Sequence, residues 1–115
     1  LTSLLCFLGW YAEVNILLIG DFNLTWDLSI DSTHPHRRPM GCFSGALQQT
    51  VEQLDLLDAW RTLRPTDKDY TFFSHRIYSQ LDYVFMSQAL RRALLSSTIH
   101  PITFSDHAPV DVTLE

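Results

Sequence analysis

The chain has 115 residues, room for one domain. Hydrophobic residues make up 46% of it, enough to fill a core, which excludes an intrinsically disordered chain. The formal net charge of −5 argues against a free-standing nucleic-acid binder with a basic face, although a cluster of cation-binding acids would account for part of that deficit.

Residues 1–13 are apolar on more than one side and predict a short helix. The stretch lacks the basic start of a signal peptide and is too short to span a membrane. Its first residue is Leu1 rather than Met, as in a fragment. Cys6 and Cys42 have no spacing that asks for a disulfide, so a reduced intracellular protein is expected. The run Ile16-Leu17-Leu18-Ile19 lacks alternation and predicts a strand buried on both faces. Residues 24–41, rich in Thr, Asp, Ser and Pro, predict a long irregular loop. That loop carries the one concentrated basic patch, His34, His36, Arg37 and Arg38.

Ser44 is a plausible N-cap for a helix running to about Trp60. Leu47, Val51, Leu54, Leu57 and Trp60 repeat at helical spacing and give it one apolar face. Pro65 ends the segment, and residues 66–69 form a turn. Residues 70–76 are rich in aromatics and predict a strand, with Gln80–Met86 as its hairpin partner. A short helix is expected around Gln88–Leu95. Ser97–Ile102 and Val110–Leu114 predict two more strands. The order of elements predicts a mixed α/β layered domain rather than a strict βαβ wind.

Three short motifs carry the chemistry. Gly20-Asp21-Phe22-Asn23 closes the first strand, Leu81-Asp82-Tyr83 lies in a later one, and Ser105-Asp106-His107 lies between the last two. Strand ends hold polar groups in fixed geometry. Together the motifs supply three carboxylates, a carboxamide and an imidazole, a set suited to metal-assisted phosphodiester hydrolysis. Two of them have a plainer reading: an Asx turn at Asp21 and Asn23, a turn histidine before Pro109. His34, His36 and Cys42 match no zinc pattern. Arg37, Arg38, Arg61 and Arg76 could touch a nucleic-acid backbone, but scattered arginines are usually solvated surface.

With these residues in order, the chain resembles the endonuclease/exonuclease/phosphatase superfamily. Within it, the chain is most similar to the apurinic-like endonuclease domain of LINE-type non-LTR retrotransposons. The carrying segments are Ile19-Gly20-Asp21-Phe22-Asn23, Asp58-Ala59-Trp60-Arg61, Asp69-Tyr70-Thr71-Phe72, Leu81-Asp82-Tyr83 and Phe104-Ser105-Asp106-His107-Ala108-Pro109-Val110. The resemblance implies the C-terminal half of a four-layered α/β sandwich, with the family's N-terminal half and its metal-binding Glu absent. One position departs from the pattern, with Gln80 where the family commonly has Arg.

The resemblance implies a Mg²⁺- or Mn²⁺-dependent endonuclease that nicks DNA. His107 would be a general acid or base, or would stabilise charge at the phosphate, with Asp82 fixing its tautomer. Asp21 would orient or deprotonate water, and Asn23 would donate to a phosphoryl oxygen. Asp106 would bind the cation. Thr71 and Ser105 would support the site or contact phosphate. The implied partners are DNA and either the missing half-domain or a reverse transcriptase module, in an intracellular protein that is nuclear when acting on DNA and has no membrane segment. An exposed core face would favour self-association. The alternatives are a catalytically inactive retrotransposon remnant, a phosphatase of the same superfamily, and a pure binding module.

Overall fold

The structure, a computed structural model, describes residues 15–22, 24–33, 44–74, 76–102 and 105–115. The expected helix over 1–13, Asn23 and the basic patch at residues 34–38 lie outside them. The fold is mixed α/β, as expected. In chain order it comprises β1 (Leu17–Asp21), α1 (Leu28–Asp31), α2 (Ser44–Gln53), β2 (Leu56–Asp58) and α3 (Ala59–Leu63). It continues with β3 (Phe72–Phe73), β4 (Tyr78–Ser79), β5 (Asp82–Ser87), a 3₁₀ helix (Gln88–Ala93), β6 (Leu94–Ile99) and β7 (Val110–Leu114).

The central sheet has the order β1-β5-β2, antiparallel throughout. Because side chains alternate along a strand, β5 divides its residues between two cores. Tyr83 and Phe85 join Ile16, Leu18 and Leu56 on one face, where Leu47 and Val51 of α2 pack. Val84 and Met86 join Leu57 on the other, against Val110, Val112 and Leu114 of the β6–β7 hairpin. Each buried aliphatic or aromatic side chain stabilises the fold by about 1.5–3 kcal/mol relative to exposure.

Four elements differ from the sequence expectation. Strand β1 is not buried on both faces. Leu18 is buried, while Leu17 and Ile19 are 47% and 64% exposed, because the β6–β7 hairpin covers the sheet's second face only in part. The helix from Ser44 stops at Gln53 instead of continuing to Trp60. Asp55 takes a left-handed backbone (φ 52°) that ends it. Leu56 and Leu57 then serve opposite cores, which a strand allows and one helical face does not. Gln80–Met86 is not the hairpin partner of Tyr70–Arg76: β3 pairs with β4, and β5 pairs with β1 and β2. The expected 24–41 loop contains α1, capped by Asp27, whose carboxylate accepts from the Ser29 backbone N–H at 3.0 Å. No helix among the described residues is long and apolar enough to cross a membrane.

Candidate active site

The site begins with strand register. Pairing of β1 with β5 sets Asp21 directly opposite Asp82, at the end of the sheet and on the face that also carries Ile19 and Val84. Like charges directly opposite one another destabilise an antiparallel pair, so the position calls for a cation. Gly20 delivers Asp21 to this place. Its φ is +156°, a conformation that L side chains rarely adopt, and a Cβ there would meet nothing within 4 Å. The glycine is therefore demanded by the backbone rather than by space.

His107 supplies the positive partner. Its Nδ1 lies 2.8 Å from Asp82 Oδ2, and its Nε2 lies 3.7 Å from Asp21 Oδ2. The first is a hydrogen bond. The second is too long for one and leaves that nitrogen facing the carboxylate across a gap. The hydrogen bond to Asp82 raises the imidazole pKa above its ordinary 6.5. Partial burial opposes this, and the charges of Asp82, Asp21 and Asp106 add to it. The three side chains are 46%, 20% and 30% exposed for Asp21, Asp82 and His107. They line a cleft of about 300 Å³ whose other walls are Ile19, Val84 and Pro109.

Short contacts with the β3 region hold the His107 loop. Phe73 N–H donates to the Asp106 carbonyl at 3.1 Å, and Ala108 N–H donates to the Thr71 carbonyl at 2.6 Å. The Ser105 hydroxyl accepts the His107 N–H at 3.1 Å, a local turn bond. The Phe72 ring lies against the imidazole, with centroids 5.0 Å apart. Sequence reasoning missed Phe72, since one aromatic in an aromatic strand carries no signal beyond its position after Thr71.

The structure thus brings Asp21, Asp82 and His107 together from residues far apart in sequence. Their candidate ligand atoms lie within 4.8 Å of one another, the one such cluster among the described residues. Asp106, the residue expected to bind the cation, is exposed beside this cluster and not part of it. Ser105 is exposed and is not among the residues that line the cleft. Thr71 is fully buried, and its hydroxyl accepts from the backbone N–H groups of Leu81 and Asp82 at 2.9 and 3.2 Å.

A second charged group lies on the other side of β5. Asp31, 2% exposed, pairs with Arg61. Its Oδ2 accepts from the Tyr83 hydroxyl at 3.3 Å, and that hydroxyl also lies 2.7 Å from the Gln80 carbonyl. Burial raises the pKa of Asp31, with the Arg61 hydrogen bond opposing it. Asp58 caps α3 by accepting the Arg61 N–H at 3.2 Å. Arg61 is therefore not the solvated arginine expected from sequence, whereas Arg76 is exposed.

Known proteins share this fold. A model of the endonuclease/exonuclease/phosphatase family matches residues 9–107. A 3′-5′ exonuclease (NExo) from Neisseria meningitidis is similar in structure, with TM-score 0.80, 23% identity, 98% of this chain covered and 51% of that one. A structure described as the 3′ phosphatase NExo (D146N) from Neisseria bound to a product DNA hairpin gives TM-score 0.76 and 21% identity, again over 98% and 51%. The AP endonuclease LMAP from Leishmania major gives TM-score 0.67 and 19% identity, over 85% of this chain and 34% of that one. The chain spans about half the length of the two Neisseria structures and about a third of the Leishmania enzyme.

Proposed function

The chain belongs to the endonuclease/exonuclease/phosphatase family, and from that premise we propose that it is the catalytic C-terminal portion of a divalent-metal-dependent DNA endonuclease of the LINE-type retrotransposon branch. The observation that carries the reading is His107 set between two carboxylates, Nδ1 at 2.8 Å from Asp82 and Nε2 at 3.7 Å from Asp21. The Asp58-Ala59-Trp60-Arg61 and Asp69-Tyr70-Thr71-Phe72 segments favour the retrotransposon branch over phosphatases acting on lipid headgroups.

The reaction is hydrolysis of a phosphodiester. The oxygen of water bonds to phosphorus as the bond to the leaving sugar oxygen breaks, giving a phosphate monoester and a free hydroxyl. Asp21 is exposed at the cleft and orients the water or takes its proton. Asp82 fixes the His107 tautomer with the proton on Nδ1. The raised pKa favours the protonated ring, and in that form the ring presents positive charge to the phosphate, where negative charge develops. Asn23 donates an amide hydrogen bond to a phosphoryl oxygen. The donor set is one of hard carboxylate oxygens, which fits Mg²⁺ or Mn²⁺ rather than a thiolate-seeking metal. Asp106 would hold the ion at the cleft's edge, where it would supply charge neutralisation to the phosphate.

The substrate is DNA, so the working compartment is the nucleus. The remainder of the sandwich, or a second copy, covers the exposed Leu17 and Ile19 face, and a reverse transcriptase module uses the nick. The similarity to a structure described as a 3′ phosphatase with a product DNA hairpin favours a second reading, in which the same site acts on phosphate at DNA 3′ ends.

The test is nicking of supercoiled plasmid with Mg²⁺, with EDTA, and with His107→Ala. Metal-dependent nicking that falls about 10²–10⁴-fold in the variant is expected. Release of phosphate from a 3′-phosphorylated hairpin without nicking would select the second reading. Neither activity from folded protein would mean an inactive remnant.

A further inference from the structure

Three catalytic side chains on three separate segments need something to hold their spacing. Thr71, fully buried, bonds two of these segments directly and reaches the third through Leu81. Its hydroxyl oxygen accepts from the Leu81 and Asp82 N–H groups at 2.9 and 3.2 Å, so it grips the peptide that carries Asp82. Its carbonyl accepts from Ala108 N–H at 2.6 Å, one residue beyond His107. Leu81 in turn accepts from Phe22 N–H at 2.9 Å, one residue beyond Asp21. The Thr71 N–H donates to the Ser79 carbonyl at 3.0 Å, which fixes Thr71 itself against β4.

From this arrangement we infer that Thr71 is a positioning residue that sets the Asp82–His107 hydrogen bond, and through it the tautomer of His107. A hydroxyl can accept twice while its own proton points elsewhere, so one threonine satisfies two N–H groups that would otherwise be buried without partners. Strand β5 begins at Asp82, and the Leu81–Asp82 peptide is held at its carbonyl by Phe22 N–H and at its N–H by the Thr71 hydroxyl. Without the hydroxyl only the carbonyl restraint remains, so the peptide can tilt and carry the Asp82 carboxylate away from the imidazole. Thr71 is sealed from solvent and does not touch a phosphate; it acts through Asp82.

The inference rests on the reading of Asp21, Asp82 and His107 as the working site, so its test needs a readout other than cleavage. Long-range ¹H–¹⁵N spectra of the imidazoles, with His107 assigned by its loss in His107→Ala, report which ring nitrogen carries the proton above the ring's titration. In the unaltered chain the proton is on Nδ1. Thr71→Val keeps the shape and removes the acceptor, whereas Thr71→Ser keeps it. In the valine variant the His107 signature moves toward the free-imidazole mixture, and kcat for plasmid nicking falls about 10²-fold with KM little changed. The serine variant restores both. If the valine variant does not melt cooperatively, Thr71→Cys, a poor acceptor of similar size, takes its place in the comparison.

A valine or cysteine variant with the unaltered ring signature overturns the inference, as does a serine variant as impaired as valine. A ring signature that shifts as described, in protein that never nicks DNA, leaves the positioning role standing and removes the nuclease reading. Nicking by the unaltered chain, with a ring signature indifferent to residue 71, does the reverse.

Discussion

Strand β5 sends two neighbouring residues into two charge clusters of similar composition. Asp82 faces His107 and Asp21. Tyr83, on the opposite side of the pleat, faces Asp31, which Arg61 neutralises and which lies near Asp58. Each cluster sets one cation among two carboxylates. They differ in exposure: 20–46% for the members of the first, against 2% for Asp31 and 19% for Arg61. They also differ in the cation. A guanidinium is charged at every accessible pH and donates from a rigid fork, while an imidazole gains and loses its proton near neutrality. The closed cluster ties α1, α3 and β5 together. The open one presents all three of its charged side chains to a cleft, whereas the closed one borders a cavity of about 330 Å³ with its central carboxylate buried. Burial, rather than composition, separates structure from chemistry here.

The largest effects come from removing one carboxylate from each. Asp31→Ala removes the carboxylate that neutralises Arg61 and should cost about 3–5 kcal/mol of stability, measured by denaturant unfolding. Asp82→Ala should leave stability within about 1 kcal/mol, because its cluster is open to water, while nicking falls about 10²–10⁴-fold. Equal stability losses in the two variants would break the comparison.

A smaller effect sharpens it through pH. Burial pushes the Asp58 carboxyl up to about 6 from 3.8, with the Arg61 N–H bond opposing it and the Asp31 charge adding to it. The folded chain therefore holds this proton when the unfolded chain has lost it. The contribution of Asp58 to stability is greatest at low pH, declines as pH rises from about 4 to about 6, and is flat above that. Asp58→Asn keeps an oxygen to cap Arg61 and removes the charge. It should raise stability by about 1–3 kcal/mol above pH 7, and by little near pH 4. Thermal melts of both chains across that range read the difference, and a gain independent of pH would show that the carboxylate is not strained by burial.

The smallest concerns Gln80, beside the closed cluster. It is 1% exposed, and its amide nitrogen and oxygen have no hydrogen-bond partner among the described residues. Gln80→Met keeps the length of the side chain and removes two unsatisfied atoms, so a gain of about 1 kcal/mol in denaturant unfolding is expected. A loss would mean that the amide is satisfied within the closed cluster.

Much of the site was legible because its residues sit in short motifs with local signals. A glycine before Asp21, a Ser-Asp-His turn before a proline, and a strand that carries Asp82 can each be read from neighbours alone. What joins them was not. The pairing of Asp21 with Asp82 depends on the register of strands some sixty residues apart, and only the family resemblance linked His107 to Asp82. The fold shows the same division. The mixed α/β class and the last strand followed from local pattern, while the strand expected at Ser97–Ile102 lies three residues earlier, at Leu94–Ile99. The break after Gln53 did not, because Leu47, Val51, Leu54 and Leu57 keep helical spacing across it, and only tertiary pairing of Leu56 and Leu57 with β5 overrides that spacing. Asp31 reads as one polar residue in a polar loop, yet it is buried, because its partner Arg61 lies thirty residues away.

Gly20 has a consequence for anyone sorting variants of this chain. A methyl group there would touch nothing, so a ranking by volume or by burial would class Gly20→Ala as silent. The backbone angle makes it costly instead. The nearest relief is rotation of the peptide that leads to Asp21, at an exposed strand end where the rest of the sheet need not follow. Such a variant would show its defect in the spacing of Asp21 from Asp82 and His107 rather than in the packing of either core.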